Sequence, residues 1–272
     1  MPQAVTEWAY KASKFIYFGN LCKGCICYFK SMFMKILYIP LVISILSVSS
    51  CGFMGKRVVG NGHMKTEEKT VSSFKNVDAG GNFKLIVVQG DLKPIKLEGD
   101  ENILPYIEIT QTGDQINIET KHGYNLYPSA SLTVTVTSPV YSSIDVSGSS
   151  DIIGQNKITS TEELNLQASG AGDIKMEVDA PKITAGISGS GSITLKGQTK
   201  DADLSLSGAG HAYCFDLMSE TVSVGISGAG SAEVYASVKL DASVSGAGNI
   251  LYKGDPKVSQ EISGAGSVGK SE

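Results

Sequence analysis

The stretch HAYCFD sets His211, Cys214 and Asp216 close together, three side chains of the kind that bind zinc. A zinc site needs further ligands, and the remaining histidines, His63 and His122, lie far away in sequence. Cys214 therefore reads as a small buried hydrophobe. A second set follows a recurring Ser-Gly-x-Gly motif: Asp151, Asp173, Ser192, His211, Ser231, Asn249 and Ser267 each sit just after a copy. Stacked in a column, such residues could hold Ca²⁺ or sugar hydroxyls. Calcium takes about six to eight oxygens, usually with several carboxylates, and only Asp151 and Asp173 supply them. The column is expected to be solvated, with no metal and no cofactor.

Glycoside hydrolysis needs two carboxylates across the scissile bond. Asp145, Asp151 and Asp173 are no denser than turns would give. Arg57 is the only arginine, so the planar fork that grips carboxylates and phosphates is missing beyond it. No G-x-S-x-G elbow or P-loop is present. Catalysis is not expected; a carbohydrate-active enzyme on the same scaffold is the alternative from another class. Tyr124 and Tyr127, in KHGYNLYPSA, are candidate ligand contacts, because exposed tyrosines stack on sugars or pack on protein partners. The same aromatics could instead cover the end of the fold.

The charge balance narrows the partners. Residues 1–51 hold five lysines and one acid, Glu7, so the chain from Gly52 onward has 18 basic and 26 acidic residues, a net of −8. An acidic body without a basic stripe argues against nucleic acid as a partner. Residues 34–50 begin with Met34-Lys35, continue with an apolar run from Ile36 to Leu46, and end in small residues before Cys51. The run is too short for a good membrane span, which needs roughly 20 apolar residues. It resembles a bacterial lipoprotein signal. That implies cleavage before Cys51, lipid on Cys51 and attachment to the cell envelope, on the surface or the periplasmic face of the outer membrane.

Residues 1–33, with Cys22, Cys25 and Cys27 in CKGCIC, precede a complete signal. They are expected to be an upstream mis-start outside the fold, with Met34 the true start. Residues 51–70 follow as the lipidated cysteine and a flexible tether, since they show no apolar periodicity.

What must position these residues is β-structure. From Val71, FKLIVVQG, IKLEG, YIEIT, QINIET and LTVTVTS alternate or run apolar, with Gly-Asp turns between them. A short helical turn is expected only around Glu101 to Tyr106. Residues 71–145 form this β-rich N-terminal section, and residues 146–268 hold the repeat. Its copies start at Ser147, Ser169, Ser188, Ser207, Ser227, Ser245 and Ser263, 18 to 22 residues apart. Each is flanked by apolar or small residues, such as Val146 and Ile152 or Ile226 and Ala232. A period near 19 residues signals a solenoid. The expected fold is all-β, a right-handed parallel β-helix with coils about 4.8 Å apart.

Stacked coils must turn alike. Gly148, Gly170, Gly172, Gly189, Gly191, Gly208, Gly210, Gly228, Gly230, Gly246, Gly248, Gly264 and Gly266 are expected to form stacked corners. Ser150 replaces the second glycine of the first copy, and its corner is expected to be looser. A turn at Ala180-Pro181 should part the two strands of a coil. Only six residues follow the last SGAG, so that coil is expected to present an open edge, inviting self-association into a homo-oligomer.

At this point the chain resembles a known family. The SGAG repeat after a signal, preceded by FKNVDAGGNFKLIVVQGD…LEGDENILPYIEI, is similar to the head GIN domain family of auto-transporter adhesins. The resemblance covers about residues 71–268. It implies a β-helical fold in a secreted or lipid-anchored bacterial protein and transfers no active site. The expected function is an adhesin-like binding or structural head for a glycan or protein ligand. A periplasm-facing structural or stress-related lipoprotein is the further alternative.

Overall fold

Alternation of apolar and polar residues sends every second side chain of a strand to a common interior. The computed structural model describes residues 55–272. Cys51, the signal-like segment and CKGCIC lie outside the described residues. The N-terminal section comprises β1 (Lys56–Val59), β2 (Met64–Lys69), β3 (Asn76–Gly81), β4 (Lys84–Gln89), β5 (Ile95–Asp100), β6 (Ile107–Thr112), β7 (Gln115–Thr120), β8 (Tyr124–Tyr127) and β9 (Thr133–Ser138). The repeat section begins with β10 (Ser143–Gly148), β11 (Asp151–Gly154), β12 (Ile158–Thr159), β13 (Glu163–Gly170), β14 (Ile174–Gly189) and β15 (Ser192–Gly208). It continues through β16 (His211–Gly228), β17 (Ser231–Gly246), β18 (Asn249–Lys253), β19 (Lys257–Gly264) and β20 (Ser267–Lys270). The expected helical turn is a single 3-10 turn at Leu104–Tyr106.

The repeat section is a β-solenoid. All its strand pairings are parallel and join each coil to the next. Ile183, Ala202, Val222, Leu240 and Val258 are successive Cα partners, and the first four are buried. Columns of like residues therefore build the core, each pairing reaching only to the neighbouring coil. The turn expected at Ala180-Pro181 does not interrupt the strand. β14 runs through it, and the pairing with β15 skips only Pro181, which has no N–H to give.

Both glycines of the motif lie where coils stack most closely. The first has φ between +93° and +137° in all seven copies. A Cβ there would lie 2.0–2.5 Å from the carbonyl oxygen of the matching glycine in the neighbouring coil. That carbonyl is occupied: the residue after the first glycine donates its N–H to it, as Ser190 does to Gly170 at 2.9 Å. The second glycine is held by contact rather than by φ. A Cβ on Gly191 would lie 1.9 Å from the Gly172 oxygen. The first-copy corner is not looser for having Ser150. Its side chain is buried, and its Oγ accepts the N–H of Phe83 at 3.2 Å.

Phe83 belongs to a coil that the repeat pattern missed. β3 pairs in parallel with β10, setting Gly80 opposite Ser147 and Gly81 opposite Gly148. β4 pairs likewise with β11. VDAGGNFKL is thus a cryptic copy stacked on the first recognised one. β7 and β9 extend the stack beyond it, still parallel. There the direction changes: β6 lies antiparallel on β7, β5 on β9, and β2 on β5. Ile103, Leu104 and Leu132 are buried at this end. At the opposite end β19 is exposed along its whole length, including Val258 and Ile262.

One expectation is overturned in the described part of residues 51–70. Residues 56–69 are not a tether. β1 pairs with β8 and β2 with β5, so the segment is a strap on the solenoid. Its polar sequence reflects a surface strand held by backbone pairing, which leaves no apolar period to read.

Candidate functional site

The HAYCFD residues do not converge. Cys214 faces the core, whereas His211 and Asp216 are exposed. Burial pushes the Cys214 thiol up to about 12, so it remains protonated and is not a nucleophile at neutral pH. The polar residues after the repeat serve one another. Asp151 Oδ1 accepts the N–H of Asp173 at 3.1 Å. Asp173 Oδ1 accepts both the N–H and the hydroxyl of Ser192, at 2.8 and 2.7 Å. His211 Nδ1 lies 2.7 Å from Ser231 Oγ, and Ser267 Oγ donates to Asn249 Oδ1 at 2.8 Å. Among the described residues no three His, Cys, Asp or Glu side chains are placed to hold a metal ion.

Stacking brings together carboxylates that the sequence separates. Asp78 and Asp145 are Cα partners on adjacent strands, and Glu119 is the partner of Gly80, two residues along. Partial burial, then Asp145 and Glu119, hold the Asp78 carboxyl above the usual carboxylate range. The clue was available in the parallel between VDAGG and IDVSG. Because Asp78 binds its proton more tightly folded than unfolded, ionisation opposes folding above that range. Asp78→Asn is therefore expected to raise Tm at neutral pH and to lose that advantage in strong acid, where the Asp78 carboxyl is protonated in both the folded and the unfolded chain. Thermal unfolding at the two pH values checks this; an equal shift at both would show that charge is not the cause.

A different surface is built by the repeat itself. Ser169, Ser188, Ser207, Ser227, Ser245 and Ser263 are exposed and in register from coil to coil. Beside them, Gly186, Ser205, Gly225 and Ser243 form the next outward column. Between Gln167, whose side chain lies over Gly186, and Glu261, the second column carries no side chain larger than serine, so this part of the sheet is flat. A shallow open groove of about 450 Å³ lies along it.

The tyrosines sit at the N-terminal end. Tyr124 is half-buried, its ring centroid 4.5 Å from that of Tyr106. Tyr127 is exposed, and the Arg57 guanidinium lies over its ring at 4.4 Å. The strap that carries Arg57 is clasped by the buried Asp100. Asp100 Oδ1 accepts the N–H of Gly62 at 2.7 Å and the hydroxyl of Ser129 at 2.6 Å, and its Oδ2 accepts the Ser129 N–H at 2.8 Å. Asn102 adds two bonds, accepting the N–H of Asn61 and donating to the Val59 carbonyl. Neither Asp100 nor Asn102 was singled out in the sequence, where GDEN reads only as a turn.

The repeat face and the N-terminal ribbon are open surfaces of the described residues. The model of a family described as "Putative auto-transporter adhesin, head GIN domain" matches residues 73–256. The chain belongs to this family. Solved structures share the family fold. One from Bacteroides fragilis, described as a "putative adhesin", has a TM-score of 0.75 at 24% identity, over 79% of this chain and 100% of that one. One from Parabacteroides distasonis, described as a "putative lipid binding protein", has a TM-score of 0.68 at 25% identity, over 80% and 100%. A "putative adhesin" from Parabacteroides distasonis has a TM-score of 0.63 at 27% identity, over 79% and 100%. No curated protein sequence matches this chain. The family and these neighbours carry adhesin or lipid-binding descriptions, and none of those reported is named as an enzyme.

Proposed function

We propose that this chain is a lipid-anchored envelope protein that works as an adhesin-like head, holding an external glycan or protein by surface contact rather than by catalysis. The observation that carries this reading is the flat serine and glycine face of the solenoid. Parallel coils repeat its exposed hydroxyls at about 4.8 Å intervals, so an extended ligand meets the same donors and acceptors at each step. A rigid scaffold presents them without an ordering cost on binding. Membership of the head GIN domain family supports the adhesin-like part of the reading. The signal-like run before Cys51 supports the anchor.

Protease shaving of intact cells, with the mass of the Cys51 peptide measured on the same material, tests the proposal. Release of the body from intact cells together with a lipid mass on Cys51 is expected. Protection until the outer membrane is broken would exclude adhesion to anything external.

A further inference from the structure

A tether running to Thr70 would let the head range several tens of ångströms from its anchor. The strap removes that freedom, because the chain is already paired to the solenoid from Lys56. The span from Cys51 to Gly55 reaches at most about 14 Å when fully extended. If Cys51 carries lipid, the N-terminal end of the solenoid is held close to the bilayer surface.

The surface at that end is suited to such a place. In the two-stranded ribbon of β1 and β8, Lys56 pairs with Tyr124 and Val59 with Tyr127. Tyr124 turns inward onto Tyr106, and Leu126 packs against the core. The alternate positions Arg57, Val59, Asn125 and Tyr127 therefore share the outer face. Val59 is 55% exposed and Tyr127 48%. Met64, at the start of the strap's second strand, is 54% exposed. The chain's only arginine lies over the Tyr127 ring.

We propose that the outer face of the β1–β8 ribbon rests on the phospholipid headgroup layer, so that the head is docked on the membrane and not free above it. This rests on the anchored reading above. Tyr127 would sit at headgroup level, apolar ring toward the acyl boundary and hydroxyl toward water. Arg57, whose guanidinium lies over the ring, would give its outward N–H groups to a lipid phosphate. Val59 would bury against the same boundary. The Asp100 clasp would keep this face from peeling off the solenoid, since it ties Gly62 to the Ser129 loop that follows β8. Docking leaves the serine and glycine face free along the sides of the solenoid.

The test uses the mature full-length protein, recovered with its lipid and reconstituted into phosphatidylcholine vesicles. A nitroxide is placed on Asn125→Cys, or at the opposite end on Ser263→Cys; the buried Cys214 does not compete for the label. Collision with a water-soluble relaxant is expected to be several-fold lower at position 125 than at position 263. Adding Arg57→Ser and Tyr127→Ser is expected to erase that difference. Equal exposure of the two labels, with lipid mass confirmed on Cys51, would overturn the docking and leave the anchor standing. Absence of lipid on Cys51 would overturn both. If Arg57→Ser with Tyr127→Ser leaves position 125 shielded, the ribbon face is not what contacts the membrane.

Discussion

Gly189→Ala is expected to lower the unfolding free energy by about 3 kcal/mol, several times the effect of an ordinary surface change. Two costs combine. Gly189 has φ +137°, a conformation that L side chains rarely adopt. Its added Cβ would also lie 2.0 Å from the Gly170 carbonyl oxygen. That oxygen cannot withdraw cheaply, because it accepts the N–H of Ser190 in the same corner. The control lies in the same sheet. A Cβ on Gly225 would meet nothing within 4 Å, so Gly225→Ala is expected to change stability by no more than about 0.5 kcal/mol. Urea unfolding of the two variants separates a general glycine effect from the stacked corner. Equal midpoints would refute the account of the corner. Because each coil touches only its neighbours, hydrogen exchange in Gly189→Ala should rise first in the coils on either side of that corner.

Asp100→Asn is expected to release the strap while leaving the solenoid folded. The carboxylate accepts three hydrogen bonds, from the Gly62 N–H, the Ser129 N–H and the Ser129 hydroxyl. An amide of the same size keeps one acceptor oxygen and turns two N–H donors toward donors. Limited proteolysis should then cut within residues 56–69, a segment whose wild-type backbone is paired in β1 and β2. Wild type should approach the same behaviour in acid. The Ser129 hydroxyl, with the Ser129 and Gly62 N–H groups, holds the Asp100 carboxyl below its usual range. A depressed folded-state value means that the contribution is fully present above the unfolded carboxylate pKa. It is lost as pH falls through the depressed value. The proteolytic difference between wild type and Asp100→Asn should therefore be large at neutral pH and vanish in strong acid. A variant strap as resistant as wild type at neutral pH would show that backbone pairing alone holds it.

If the ribbon face is the membrane contact, Asp100→Asn would also uncouple the anchor from the head. The two properties are separable, because the clasp lies between strap and solenoid while Arg57 and Tyr127 face outward.

The order of coils in the repeat section was legible in the sequence. A corner motif returning every 18 to 22 residues, flanked by inward apolar positions, has one economical solution, in which each coil stacks on the one before it. The apolar residues flanking the motif, such as Val146, Ile152, Ile226 and Ala232, are buried. Cys214 was legible as a small buried hydrophobe because the sequence offers no further zinc ligands near it, and the structure places it inside.

The tertiary structure decided what periodicity does not encode. Phe83 bonds to Ser150 across 67 residues, because the chain leaves the β3–β4 coil, builds the far end, and returns to stack β10 and β11 on it. Repeat spacing reports stacking between consecutive coils only, so this non-consecutive pairing left no period to find. Asp78 and Asp145 became neighbours through that return. The strap was hidden for a related reason: MKTEEK and KRVV are held by backbone hydrogen bonds and by Asp100, and neither leaves a hydrophobic signature. The sequence by itself determined an all-β solenoid with stacked glycine corners, since neighbouring coils must turn alike. Only the tertiary structure decided how its N-terminal end is closed and clasped, because pairing between distant strands depends on where the chain returns.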